Sequence, residues 1–223
     1  MERKQCAIFA ADVVGFSRLM GRDEEATVSA VRESFAVVQQ LVEERHGQVF
    51  GGAGDSILAE FASPIQAVRC AIEVQESLGR RNAEVPDDQR LSLRVAVNFG
   101  PVLVTDDDLL GNSVNLAVRI EGLADPGGIV ISDDTYRHLK DQVRATFEDM
   151  GEHRVRGYSE PVRVYRVEPP CQTGANERRS TARAKVETDR VLKPPAVPRE
   201  DDVASVRPST ITSPLLSCCR LRI

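Results

Sequence analysis

The 223-residue sequence has no tryptophan, and phenylalanine and tyrosine together supply only 4% of it. None of these aromatics lies beyond Tyr165, so the last quarter of the chain has little to anchor a core. Long apolar runs are missing too. The longest near the N-terminus, "CAIFAA", is far too short to span a bilayer, and no signal-peptide pattern accompanies it. The five cysteines (Cys6, Cys70, Cys171, Cys218, Cys219) are odd in number and lack the paired spacing of a structural metal site. Cys6 and Cys70 sit in apolar runs and read as small core residues. The expectation is a reduced, soluble, cytoplasmic protein with no membrane segment. A net charge of −5 excludes generic nucleic-acid binding as the main task. That charge is divided unevenly, with −9 in residues 1–170 and +4 in residues 171–223.

What is present is a periodic first part, with 41% hydrophobic residues in the chain to supply a core. "QCAIFAAD" is a continuous apolar run ending on Asp12, the pattern of a strand buried on both faces. Residues 22–45 read as a helix, because Val28, Val31, Phe35, Val38 and Leu41 form one stripe. "GQVFGGAGDSILAEF" reads as a hairpin around a glycine turn. Ser63, Pro64 and Gln66 announce a second helix as N-cap, first helical residue and capping-box partner. "LSLRVAVNFGPVLV" reads as two strands broken at Gly100-Pro101, followed by a helix from Ser113 to Glu121 that stops at Gly122. "GIVIS" is a strand, Asp133–Lys140 a short helix, and "EHRVRGYSEPVRVYRV" a final hairpin. The order β-α-β-β-α-β predicts an α+β fold with a ferredoxin-like core: a mainly antiparallel sheet with helices packed on one face. The folded domain is expected over residues 4–168. Residues 169–223 form a Pro/Ser/Arg-rich tail, and from Cys171 onward its composition reads as disordered.

Three segments carry chemistry. "FAADVVGFS" places Asp12 at a strand end, "GGAGDS" places Asp55 in a turn, and "DLLGNSVNLAVR" holds Asp108, Asn115 and Arg119. Taken singly, each has a plain structural reading: a strand-end aspartate, a solvated acidic loop, a surface arginine. Two carboxylates on neighbouring strand ends suit Mg²⁺, which typically takes one or two protein carboxylates and leaves its other positions to water and phosphate. Asn115 and Arg119 are four apart and share a helix face, where an amide and a guanidinium can hold a ribose and a phosphoryl group. The three histidines, His46, His138 and His153, have no partner spacing and read as surface or loop residues.

In this order and ending in "EPVRVYRV", the segments resemble the catalytic domain of class III nucleotidyl cyclases from Lys4 to Glu168. The resemblance implies an adenylate cyclase that converts ATP to cyclic AMP and pyrophosphate with two Mg²⁺ or Mn²⁺ ions per site. Asp12 and Asp55 would bind the metals, with the Val13 carbonyl as a further ligand. The amides of "VGFS", including Gly15, Phe16 and Ser17, would cradle the triphosphate. Asp108 matches the purine-reading position, Asn115 the ribose-orienting one, and Arg119 the one that stabilises the transition state. Arg94 and Arg156 match positions that contact phosphates. Family members work as head-to-tail dimers with shared sites, so the implied assembly is a homodimer.

One residue departs from the pattern. The family pairs its purine-reading aspartate with a lysine four residues before the second metal aspartate, and here that position is Gly51. Asp108 still favours adenine, because its carboxylate can accept from the exocyclic amine. Two alternatives follow from Gly51. One is a cyclase with relaxed ATP/GTP selectivity, and the other is a cyclase-like regulatory or dimerisation module of weak or no activity. The tail is the candidate site for a regulatory partner.

Overall fold

The computed structural model describes residues 2–86, 89–105, 109–139 and 142–170, and the expected tail disorder lies outside them. In chain order the elements are β1 (Glu2–Val13), α1 (Phe16–Met20), α2 (Glu24–Glu44), β2 (Gly47–Gly51), β3 (Ser56–Phe61), α3 (Pro64–Ala83) and β4 (Leu93–Val104). There follow β5 (Leu109–Leu110), α4 (Asn112–Glu121), β6 (Ile129–Ser132), α5 (Asp133–Leu139), β7 (Thr146–His153) and β8 (Val162–Glu168). One sheet runs in the order β2-β3-β1-β4-β6-β8-β7, with the short β5 paired to β4. Every pairing is antiparallel except β4 with β6, which α4 joins as a crossover. The β2-β3-β1-β4 half, with α2 and α3, is the expected ferredoxin-like unit, and the fold class is α+β.

β1 is an interior strand, between β3 and β4, and its alternation sorts residues onto two faces. Ala7, Phe9, Ala11 and Val13 join the core beneath α2 and α3, which contains Val38, Val42, Val68 and Phe61. The Phe9 and Phe61 rings are fully buried there, with centroids 6.4 Å apart. Cys6, Ile8 and Ala10 face the other way, against Val114 and Ala117 of α4. The expectation that helices cover one face therefore holds for α2 and α3, and is corrected for α4. Its apolar stripe is needed on the second face because β1 and β4 are apolar on both sides.

Two local expectations are also revised. β4 runs unbroken through Gly100-Pro101. The Pro101 carbonyl accepts from Ser113 Oγ at 2.8 Å, outside the β1 ladder, and β6 pairs only with Val95–Val97. The missing proline N–H therefore leaves no ladder bond unmade. At the start of α3, Pro64 stands at the first turn as expected, but the Ser63 side chain makes no capping hydrogen bond. Side-chain caps stand instead on α2, where Asp23 Oδ1 accepts from Ala26 N at 3.0 Å, and on α5, where Ser132 Oγ accepts from Thr135 N at 3.3 Å. No helix among the described residues is long and apolar enough to cross a membrane.

Candidate active site

The two aspartates are brought together by strand register. Asp12 is the penultimate residue of β1 and pairs with Ser56 of β3 on one side and Arg94 of β4 on the other. Val13 N donates to the Asp55 carbonyl at 2.9 Å, which ties the β2–β3 turn to the end of β1. The glycines of that turn do different jobs. Gly52 has φ +131°, and a Cβ there would press into the Ser56 carbonyl and lie 2.8 Å from Ile57 Cα. Gly54 has φ +64° in open space. Both are required by the backbone. Gly51 is not: its φ lies outside the left-handed region, and an added Cβ would make only ordinary contact with Leu58, at 3.6 Å.

Arg94 closes on Asp12 from β4. Its Nε donates to Oδ1 at 3.1 Å and its Nη2 to Oδ2 at 2.7 Å, a two-pronged ion pair of half-buried side chains. That hydrogen bonding raises the Arg94 pKa above its ordinary value. Above the pair sits Glu121, which the sequence reading passed over. It is the last residue of α4 and only 5% exposed. Burial pushes its carboxyl up to about 8, the charge of Asp12 and a hydrogen bond with it add to the rise, and Arg94 opposes it. Glu121 therefore holds its proton more tightly than a free carboxyl does, beside Asp12. A signal for it existed: Ser113, Ala117 and Glu121 are four apart, so Glu121 falls on the buried stripe of its helix.

The donor set of Asp12, Asp55 and the Val13 carbonyl is all hard oxygen and fits Mg²⁺ or Mn²⁺ better than a softer ion. Among the described residues no group of three His, Cys, Asp or Glu forms a closed metal cage. Beside these residues Gly15 is the N-cap of α1, with the Phe16 and Ser17 amides in its first turn, where helical bonding uses no amide. The Val14 amide of the same "VGFS" stretch is committed to Ser92 O at 2.9 Å.

Asn115 and Arg119 are not brought to this cluster. They lie on the exposed outer face of α4, next to the 46%-exposed Val118, while Ser113, Ala117, Ile120 and Glu121 face the sheet. Arg119 packs instead on the β7–β8 connection, its guanidinium carbon 5.8 Å from the centre of the Tyr158 ring. Exposed Arg156 belongs to the same connection. Asp108 lies outside the described residues. The constellation therefore forms two separate half-sites on one chain: carboxylates with Arg94 at the strand ends, and Asn115 with Arg119 on the helix. A cavity of about 340 Å³ lined by Leu19, Thr27, Leu78 and Leu91 lies on the α2–α3 face and includes none of these groups.

Comparison with known proteins agrees with this geometry. The adenylate and guanylate cyclase catalytic domain family matches residues 1–169. A putative adenylate cyclase 3 from Rhizobium meliloti (strain 1021) is 41% identical over 170 residues, which are 76% of this chain and 29% of that protein. The crystal structure of an adenylate/guanylate cyclase/hydrolase from Silicibacter pomeroyi superposes with a TM-score of 0.70 at 34% identity, covering 76% of this chain and 99% of the other. The guanylyl cyclase Cya2 shares the fold, with a TM-score of 0.68 at 23% identity over 78% of this chain and 96% of its own. The chain spans between 20% and 41% of the length of the curated relatives it matches most strongly.

Proposed function

The chain belongs to the adenylate and guanylate cyclase catalytic domain family, and from that membership we propose that it is an adenylate cyclase, converting ATP to 3′,5′-cyclic AMP and pyrophosphate. The observation that carries the reading is the convergence of Asp12, Asp55 and Arg94 on one strand-end cluster, with Asn115 and Arg119 on a separate helix face. Support for ATP over GTP comes from the 41%-identical relative named a putative adenylate cyclase, and from Asp108. The carboxylates of Asp12 and Asp55, with the Val13 carbonyl, would hold two Mg²⁺ or Mn²⁺ ions. Such ions, when bound, supply Lewis acidity at the ribose 3′-hydroxyl and at the triphosphate.

The residues of the chain then divide the remaining work. Asn115 orients the ribose, so that its 3′-oxygen lies in line with the α-phosphorus. The 3′-hydroxyl gives up its proton to solvent, a bond forms between those two atoms, the bond from the α-phosphorus to the bridging oxygen breaks, and pyrophosphate leaves. Arg119 offsets charge growing on the α-phosphoryl oxygens, an electrostatic contribution that needs no covalent intermediate. Arg156 and the Gly15, Phe16 and Ser17 amides bind the phosphates. Arg94 is a further phosphate contact, since its pair with Asp12 uses only Nε and Nη2. Because the two half-sites face different directions, a head-to-tail homodimer would build each complete site from two chains.

Gly51 favours a second reading of the same chemistry, relaxed selectivity between ATP and GTP. The missing side chain removes one hydrogen bond to the base, which changes recognition before it changes turnover. The test is to supply ATP or GTP with Mn²⁺ and to identify products by mass spectrometry. Cyclic AMP from the wild type, lost at least about 10³-fold in Asp55→Ala, supports the proposal. Comparable cyclic AMP and cyclic GMP supports relaxed selectivity. No cyclic product from a folded protein that binds ATP points to a regulatory module.

A further inference from the structure

The β7–β8 connection is more than a link between strands. Val155, Arg156, Gly157 and Tyr158 form a tight turn, with Tyr158 N donating to Val155 O at 3.0 Å and Val155 buried against α4 and the sheet. Gly157 is third in that turn with φ +81°, the conformation that favours glycine there. A second constraint acts on it from outside the turn. A Cβ at Gly157 would lie 2.5 Å from Arg119 Nη1 and 3.3 Å from Arg119 Cζ. The next residue, Tyr158, sets its ring beside the same guanidinium and donates its hydroxyl proton to the Asn112 carbonyl. Asn112, Asn115 and Arg119 follow one another at three- and four-residue steps, so they form a single stripe along α4. Tyr158 thus holds both ends of the stripe whose middle residue is Asn115.

The geometry points to Gly157 and Tyr158 as a clamp that positions Arg119, and that ties the loop bearing Arg156 to the same helix. Tyr158 is a positioning residue for the cyclase reaction, and its role rests on the proposed part of Arg119 in the transition state. The physical need is plain. A free arginine on an exposed helix face samples many rotamers, and an electrostatic contact made only in the transition state loses effect when its donor is not already in place. Gly157 leaves room for the guanidinium, and the Tyr158 ring gives it a flat face to lie against.

The experiment uses the full chain with ATP and Mn²⁺ and compares steady-state constants for five variants. Tyr158→Leu should lower kcat about ten-fold or more while KM for ATP stays within about three-fold, the signature of an interaction realised in the transition state. Tyr158→Phe keeps the ring and should stay within about three-fold of wild-type kcat. Added to Arg119→Ala, Tyr158→Leu should cause no further loss, because both act through one group. Should Tyr158→Leu not fold, Gly157→Ala serves instead: its methyl intrudes on the guanidinium with the tyrosine intact, and kcat should again fall. Wild-type kcat in a folded Tyr158→Leu or Gly157→Ala, with turnover lost in Arg119→Ala, overturns the clamp and leaves the function standing. Equal losses in Tyr158→Phe and Tyr158→Leu overturn the role given to the ring. Full turnover in Arg119→Ala overturns the transition-state role and the clamp with it.

Discussion

The strand-end cluster and the outer face of α4 hold their residues by different means. Asp12 and Arg94 are placed by strand register, Asp12 being paired on both sides, and Asp55 stands in the adjoining turn with its carbonyl tied to Val13 N. Moving any of them requires breaking a sheet. Asn115 and Arg119 stand on one exposed helix face, with a side-chain contact to a turn as the local constraint on Arg119. The lesson is one of tolerance. Backbone-held chemistry should survive side-chain changes around it, whereas helix-face chemistry depends on its neighbours and on whatever covers that face.

The sharpest way to break this comparison is to disable the regions separately and recombine them. Asp12→Ala and Arg119→Ala chains should each be inactive alone. Mixed in equal amounts, they should recover about a quarter of wild-type turnover, since half the random dimers are mixed and each of those keeps one intact site of two. No recovery, with mixed dimers demonstrated by mass spectrometry, would mean that the half-sites do not meet across chains.

A second test probes the backbone hold itself. Gly52→Ala puts a Cβ into the Ser56 carbonyl at φ +131°, and should lower stability by about 1–3 kcal/mol in urea unfolding. Gly51→Lys meets only Leu58 at ordinary distance, and should leave stability within about 0.5 kcal/mol while shifting the ATP/GTP ratio of kcat/KM. Equal destabilisation by both would show that the turn does not discriminate between its glycines.

The smallest effect expected concerns Glu121, which joins the two regions. Its pKa is raised in the folded chain from an ordinary 4.5 to about 8, so the folded state binds the proton more tightly than the unfolded state. The stabilisation is therefore full below about pH 4.5 and is lost as pH rises toward 8. Glu121→Gln cannot ionise and should remove that loss. With a chelator present, the variant should have a higher urea midpoint than wild type at pH 8, with the gap shrinking toward pH 5. A gap that grows as pH falls would reverse the assignment.

Much of this was legible in the residues. The apolar run before Asp12 announced a strand buried on both sides, and the stripe of α2 and the Ser63-Pro64 start of α3 announced their helices. The glycine cluster before Asp55 announced a turn that aims a carboxylate. Other features were not legible, because they depend on pairing between segments far apart in the chain. Nothing local says that Arg94, 82 residues from Asp12, is its cross-strand partner. Nor does the Gly100-Pro101 dipeptide reveal that β4 runs through it, since that depends on where β6 stops.

The sequence by itself determined which chemical groups exist, the elements that carry them and the family to which they point, because strand and helix periodicity and turn glycines act over a few residues. Tertiary structure alone decided which groups meet. It set Arg94 on Asp12, buried Glu121 above them, and turned Asn115 and Arg119 outward, because register and the packing of α4 on the second face are settled by burial across the whole sheet. The difference between Gly51 and Gly52 was decided there as well: four and three letters before Asp55 they look alike, and only the folded backbone shows that one of them has room for a side chain.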